Sequence, residues 1–143
     1  MKIGIANDHR GYKLKKEITK YFDETHYSYI DYGSDSEDMT DYVDYAVNLC
    51  NAINNKEVDL GILVCGTGIG MSIAANKIKG IMCARVTSIE EARLAREHNM
   101  ANVMALGENT ISVEDVVSTF INTEPSSVDR YKRRYDKIKS LEE

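Results

Sequence analysis

Apolar residues fall along the chain in two alternating rhythms. Five short runs rich in β-formers, Lys2–Ala6, Tyr27–Gly33, Val58–Gly66, Gly80–Val86 and Ala101–Gly107, are each followed by a stretch with helical spacing. Leu14, Ile18, Tyr21 and Phe22 make one helical stripe, Tyr42, Ala46, Leu49, Cys50 and Ile53 a second, and Val113, Val116, Val117, Phe120 and Ile121 a third. Ile69–Lys77 and Glu90–Glu97 predict shorter helices. The run Leu60-Gly61-Ile62-Leu63-Val64-Cys65 is almost continuously apolar, as a strand buried on both faces must be. Strands alternating with helices predict one doubly wound α/β domain over residues 1–143, with a five-stranded parallel sheet. The only proline, Pro125, sets off residues 126–143 as a C-terminal helical arm. Its helix would carry Tyr131, Tyr135 and Ile138 on one stripe and Arg130, Arg133 or Arg134 and Lys137 on another.

Composition narrows the setting. The 143 residues are 43% hydrophobic and 29% charged, the balance of a folded globular chain. A net charge of −5 argues against broad nucleic-acid binding. No apolar run approaches the ~18 residues of a membrane span, and no signal peptide is read at the start, so a cytoplasmic protein is expected. Three cysteines at wide spacing suit neither a disulfide framework nor a zinc site. The acidic stretch 31–44, with six acids and no base, has neither the alternating ligands nor the central glycine of a calcium loop. Residues 130–139 hold six basic side chains against one acid, which is either a solvated helix face or an anion-binding one.

Ligands of open α/β sheets bind at the carboxyl edge, so the loops to read are 7–11, 65–70, 87–88 and the two flanks of 101–107. Cys65-Gly66-Thr67-Gly68-Ile69-Gly70 stands out. Alternating glycines let backbone N–H groups approach an anion, and the following helix points its positive end there. The spacing is neither the dinucleotide fingerprint nor a phosphate-binding P-loop, and a purely structural turn remains an alternative. Cys50 and Cys83 read as small buried hydrophobes, whereas Cys65 ends a strand at a helix amino terminus, where a thiolate gains about 0.3–1 kcal/mol. Asp8-His9 is either a capping pair or a proton-transfer and anion-binding pair; His98-Asn99 is either a helix stop or a second catalytic pair. His26 is given no role. Asp8, His9, Cys65, Thr67, His98 and Asn99 are expected at one edge. These groups suit a Cys–His hydrolase or proton abstraction next to a carbonyl, and metal hydrolysis less well. An arginine-rich helix suited to a phosphate favours proton abstraction.

Asp8-His9-x-Gly11, Thr40-Asp41-Tyr42, Cys65–Gly70 with Ser72-Ile73-Ala74-Ala75-Asn76-Lys77, and His98-Asn99-x-Ala101-Asn102-Val103 together strongly resemble ribose-5-phosphate isomerase type B, a family that includes allose- and galactose-6-phosphate isomerases. The resemblance runs in order along essentially the whole chain. It implies a Rossmann-like fold and interconversion of ribose 5-phosphate and ribulose 5-phosphate through a cis-enediol, without metal or organic cofactor. An allose- or other hexose-6-phosphate isomerase, and a non-catalytic sugar-phosphate sensor, are the alternatives. Carried onto this chain, the resemblance makes Cys65 the base, with Thr67, the amides of Gly66, Gly68, Ile69 and Gly70, and Asn99 holding the reacting oxygens. His98 with Asp8 would assist ring opening; His9, Arg130 and Arg134 would bind phosphate. It also implies a homodimer or tetramer with the site shared between chains, so that His98 or the basic helix serves a neighbour's pocket. Three positions depart from the pattern: Asn109 stands for a usual arginine, Tyr131 for a usual histidine beside an arginine, and Val43 for a usual proline.

Overall fold

The computed structural model describes residues 1–142; Glu143, the end of the expected arm, lies outside the described residues. The strands are β1 (Lys2–Asn7), β2 (Ser28–Asp31), β3 (Leu60–Cys65), β4 (Cys83–Arg85) and β5 (Val103–Gly107). The helices are α1 (Tyr12–Thr25), α2 (Tyr42–Asn54), α3 (Ile69–Asn76), α4 (Ile89–Glu97), α5 (Val113–Asn122) and α6 (Asp129–Lys139). All strands run parallel in the order β2-β1-β3-β5-β4, the doubly wound sheet that the alternation predicts. Register sets both edges: Asn7 pairs with Val64, and Cys65 with Gly107, so β1, β3 and β5 end side by side.

The side-chain alternation of the strands builds two cores. Ile3, Ile5, Leu60, Ile62, Val64, Met104 and Leu106 face α1, α4 and α5, where Ile18, Phe22, Val116, Val117 and Phe120 are buried. On the other face the strands offer smaller groups, including Ala6, Cys65 and Ala105, to α2 and α3 with Leu49, Cys50 and Met71. Each large side chain removed from water in this way contributes about 1.5–3 kcal/mol. The chain leaves β1 toward β2 on one side and returns to β3 on the other, so the crevice at the carboxyl ends of β1 and β3 is a topological switch point.

α6 buries none of its residues. Among the described residues Tyr131 stacks on His98 with ring centroids 4.2 Å apart, the Ser126 N–H ahead of the helix donates to Glu97 O at 2.9 Å, and Glu142 Oε2, just beyond it, accepts the Gly80 N–H at 2.9 Å.

Candidate active site

The turn after β1 is aimed by Asp8. This residue is 5% exposed, and its Oδ1 accepts the backbone N–H groups of Arg10 and Gly11, each at 3.0 Å. One of its oxygens is thus committed to the turn ahead of α1, whose N-cap is Gly11 and not Asp8 as the capping reading had it. His9 turns elsewhere. Its Nδ1 accepts the Thr40 N–H at 3.2 Å, and its own N–H donates to Thr40 Oγ1 at 3.1 Å. Among the described residues His9 is bonded to Thr40 and not to Asp8, so the alternative of an Asp8–His9 proton-transfer pair is not formed.

β3 delivers Cys65 to the same edge at 4% exposure. Gly68 has φ +81°, a left-handed conformation that glycine takes without strain. Its N–H donates to Cys65 Sγ at 3.2 Å. Thr67 is exposed; its Oγ1 accepts the Ile69 N–H at 3.1 Å, and its carbonyl accepts Arg85 Nε at 2.9 Å. Two amides of the cradle therefore face the sulfur and the threonine hydroxyl, while Gly70 lies in the helix's first turn, whose N–H groups have no partner within the helix. The Tyr42 ring covers Gly70: a Cβ there would come within 2.6 Å of it.

The other two thiols are placed differently. Burial pushes Cys50 up to about 12. Burial likewise pushes Cys83 up to about 12, with Cys50 adding to the effect and a Ser72 hydrogen bond opposing it. Neither is set to ionise near neutral pH.

His98 and Asn99 are not at this edge, contrary to the expectation of one shared edge, and Arg130 and Arg134 on α6 are not there either. His98 caps the carboxyl end of α4 and Asn99 follows it, both ahead of β5. Because β5 runs parallel to β3, a residue before Val103 lies at the amino edge, and Cys65 lies beside Gly107 at the carboxyl edge. The length of β5 separates them, about 13 Å at roughly 3.3 Å per residue. Asn99 instead lines a cavity of about 650 Å³ with Ile78, Ile81, Met82, Cys83 and Ile138. Arg130 lies over the Tyr131 ring at 4.7 Å and donates to its hydroxyl at 3.1 Å, beside His98, and Arg134 is exposed on the same helix. Within one chain, then, His98 cannot assist Asp8, and the arm's arginines do not meet His9. Asn102 has a purely structural place: its amide accepts the Met82 N–H at 2.8 Å and donates to Gly80 O at 3.0 Å.

Two further charged groups at the carboxyl edge had no place in the sequence expectation, Arg85 and Glu108. Their positions, ending β4 and just following β5, were the available signal. Among the described residues no group of three or more His, Cys, Asp or Glu side chains is arranged to hold a metal ion.

A family profile described as Ribose/Galactose Isomerase matches residues 3–138. The chain belongs to this family. Ribose-5-phosphate isomerase B of Escherichia coli is 37% identical, over 99% of this chain and 97% of that protein. Among solved structures, ribose-5-phosphate isomerase B of Clostridium thermocellum superposes with a TM-score of 0.94 at 42% identity, covering 99% and 97% of the two chains. The Mycoplasma genitalium ribose-5-phosphate isomerase B, solved with bound ribulose-5-phosphate, gives 0.90 at 37% identity, covering 99% and 95%. Membership spans the sheet, the cradle and α6.

Proposed function

We propose that this chain is an aldose–ketose isomerase interconverting D-ribose 5-phosphate and D-ribulose 5-phosphate, with Cys65 as the base. The observation that carries the reading is the Cys65 sulfur at the β1–β3 switch point, next to an amide cradle and held by the Gly68 N–H. Its relatives named ribose-5-phosphate isomerase B, one solved with ribulose-5-phosphate, support the substrate class. From the open-chain aldose, the Sγ thiolate takes the C2 proton and the electron pair moves to the carbonyl oxygen, giving a cis-enediolate, the anion of the cis-enediol, with O1 and O2 near Thr67 and the cradle amides. The proton returns at C1, and the O2 hydroxyl becomes the ketone as its proton passes to O1. These steps call on side chains and amides alone.

His98, Asn99, Arg130 and Arg134 enter this reading from a second copy of the chain. Tyr42, Val43, Ile69 and Ile73 expose 40–58% of their surface on the face of α2 and α3 beside the cradle. A twofold partner seated there brings its own amino edge toward this carboxyl edge, so that His98 acts in ring opening and the arginines join His9 at the phosphate.

Comparing kcat/KM for ribose 5-phosphate and allose 6-phosphate tests the substrate. The pentose is expected to be preferred, and a clear preference for the hexose overturns that choice. Cys65→Ala tests the base: turnover should fall by about three decades or more while the sugar phosphate still binds. A variant that keeps its turnover removes Cys65 from the mechanism.

A further inference from the structure

Arg10 stands beside the proposed reacting groups, yet no step above uses it. It follows His9 in the turn after β1, and its guanidinium leans across Gly66. A Cβ on residue 66 would lie 2.6–2.8 Å from Cζ, Nη1 and Nε, so the glycine makes room for the guanidinium directly after Cys65. Nη2 donates to Glu108 Oε1 at 2.7 Å. Glu108 is fixed to the same loop, because its N–H donates to Gly66 O at 3.1 Å. The ends of β1, β3 and β5 thus jointly aim one cation. A guanidinium has five N–H donors in a planar fork, and the bond to Glu108 occupies one side of it. Nη1 and Nε lie over Gly66, and the side chain keeps 56% of its surface in contact with solvent, open to an incoming ligand.

Charged and titratable groups near the sulfur come from several elements. Asp8 and Arg10 follow β1, Arg85 ends β4 with its Nε on Thr67 O, and Glu108 follows β5; the Cys50 and Cys83 thiols lie on α2 and β4. Asp8 has one carboxylate oxygen committed to two backbone N–H groups. Arg10 remains a full cation here. The hydrogen bond and charge of Glu108 raise it above its ordinary value against desolvation, and Asp8 and Cys65 add smaller attractions.

We propose that Arg10 is the charge-stabilising residue of the cradle: aimed by Glu108, its guanidinium favours the Cys65 thiolate at rest and the enediolate oxygen once the proton has moved to sulfur. The inference rests on Cys65 being the base. Negative charge passes from Sγ to the substrate oxygen during the reaction, and the cation stands beside residue 66, directly after the sulfur's own residue. A fixed charge of this kind raises turnover by keeping more of the protein in the reactive thiolate form, while the binding of the neutral carbonyl group changes little.

Two readouts test it. The first needs no substrate: the ultraviolet thiolate absorbance at one fixed pH near neutrality, taken as the difference between a protein and its Cys65→Ala counterpart. Arg10→Ala should lower that absorbance, Arg10→Lys should restore part of it, and Glu108→Gln, which keeps an acceptor but removes the opposing charge, should raise it. The second is steady-state kinetics on ribose 5-phosphate: Arg10→Ala should lower kcat by about 10- to 100-fold with KM changed less than about threefold. If Arg10 and Glu108 merely latch the loop together, both variants lower the absorbance alike, and the proposal falls. It falls equally if Arg10→Ala raises KM with kcat intact, or leaves the absorbance unchanged. Should the wild type fail to isomerise the sugar, or Cys65→Ala retain turnover, the functional reading fails instead, and the absorbance series still judges Arg10.

Discussion

A single backbone amide settles the chemistry of His9. Because the Thr40 N–H donates to Nδ1, that nitrogen presents its lone pair, and in the neutral ring Nε2 carries the proton. His9 therefore offers Nε2–H as a donor, suited to a phosphate or hydroxyl oxygen. Thr40 belongs to the segment after β2, and that segment is anchored by Lys15, whose side chain is only 2% exposed. Its Nζ donates to Asp31 Oδ2 at 2.7 Å and to Ser34 O at 2.9 Å. Asp31→Ala strands a buried ammonium and should cost about 3 kcal/mol, read as a lower urea midpoint. KM should rise with it as Thr40 loosens; an unchanged midpoint would show that the pair anchors nothing. None of this was legible in the sequence. The stripe Leu14, Ile18, Tyr21 and Phe22 identifies the face of α1 that meets the core, and a lysine next to that stripe reads as solvated until β2 supplies its partner.

At the scale of elements, local chemistry and pattern agree more closely. α4 begins with Ser88, whose Oγ accepts the Glu91 N–H at 3.1 Å, while Glu91 Oε1 reaches back to the Thr87 N–H and hydroxyl, each at 2.6 Å. Ser88→Ala should lower stability by about 1 kcal/mol. The Thr87 hydroxyl first, and then its N–H, hold the Glu91 carboxyl below its usual value, opposed by desolvation. A depressed native value gives stability that is complete above the ordinary glutamate range, near ~4.3, and is lost as pH falls through the native value. Denaturation curves at pH 7 and at pH ~3 should show a smaller acid loss in Glu91→Gln than in the wild type. An identical loss would mean that the cap carries no proton linkage. The strand runs and helical stripes gave every element its place in order, because burial repeats along the chain. Ends were less legible. β4 occupies Cys83–Arg85 within the expected Gly80–Val86, since Asn102 takes the Gly80 carbonyl and the Met82 N–H that strand pairing would otherwise use. No hydrophobic pattern announces an asparagine substituting for a ladder.

For the molecule as a whole, the decisive feature is that the candidate residues occupy opposite edges of one parallel sheet. The carboxyl-edge half was readable, because Cys65–Gly70 and Asp8-His9 directly follow strands. His98-Asn99 lies ahead of one, and in a parallel sheet that reverses the edge. Adjacency to β5 along the chain therefore pointed to the wrong end of it. In the proposed reading a twofold partner places one chain's amino edge against the other's carboxyl edge, and such an arrangement has a numerical signature. Cys65→Ala and His98→Ala should each be nearly inactive alone. When the two are unfolded together, refolded and allowed to reassort, about half of the dimers are hybrids, and each hybrid holds one site with both substitutions and one with neither. Activity should then return to about a quarter of the wild-type value, with no recovery when either variant is treated by itself. A site built within one chain gives none at any mixing ratio, because every chain lacks one of the two groups. The size of the recovery separates the cases: a trace would indicate contamination, whereas a value that tracks the hybrid fraction as the mixing ratio is varied requires the imidazole and the thiol to come from different chains.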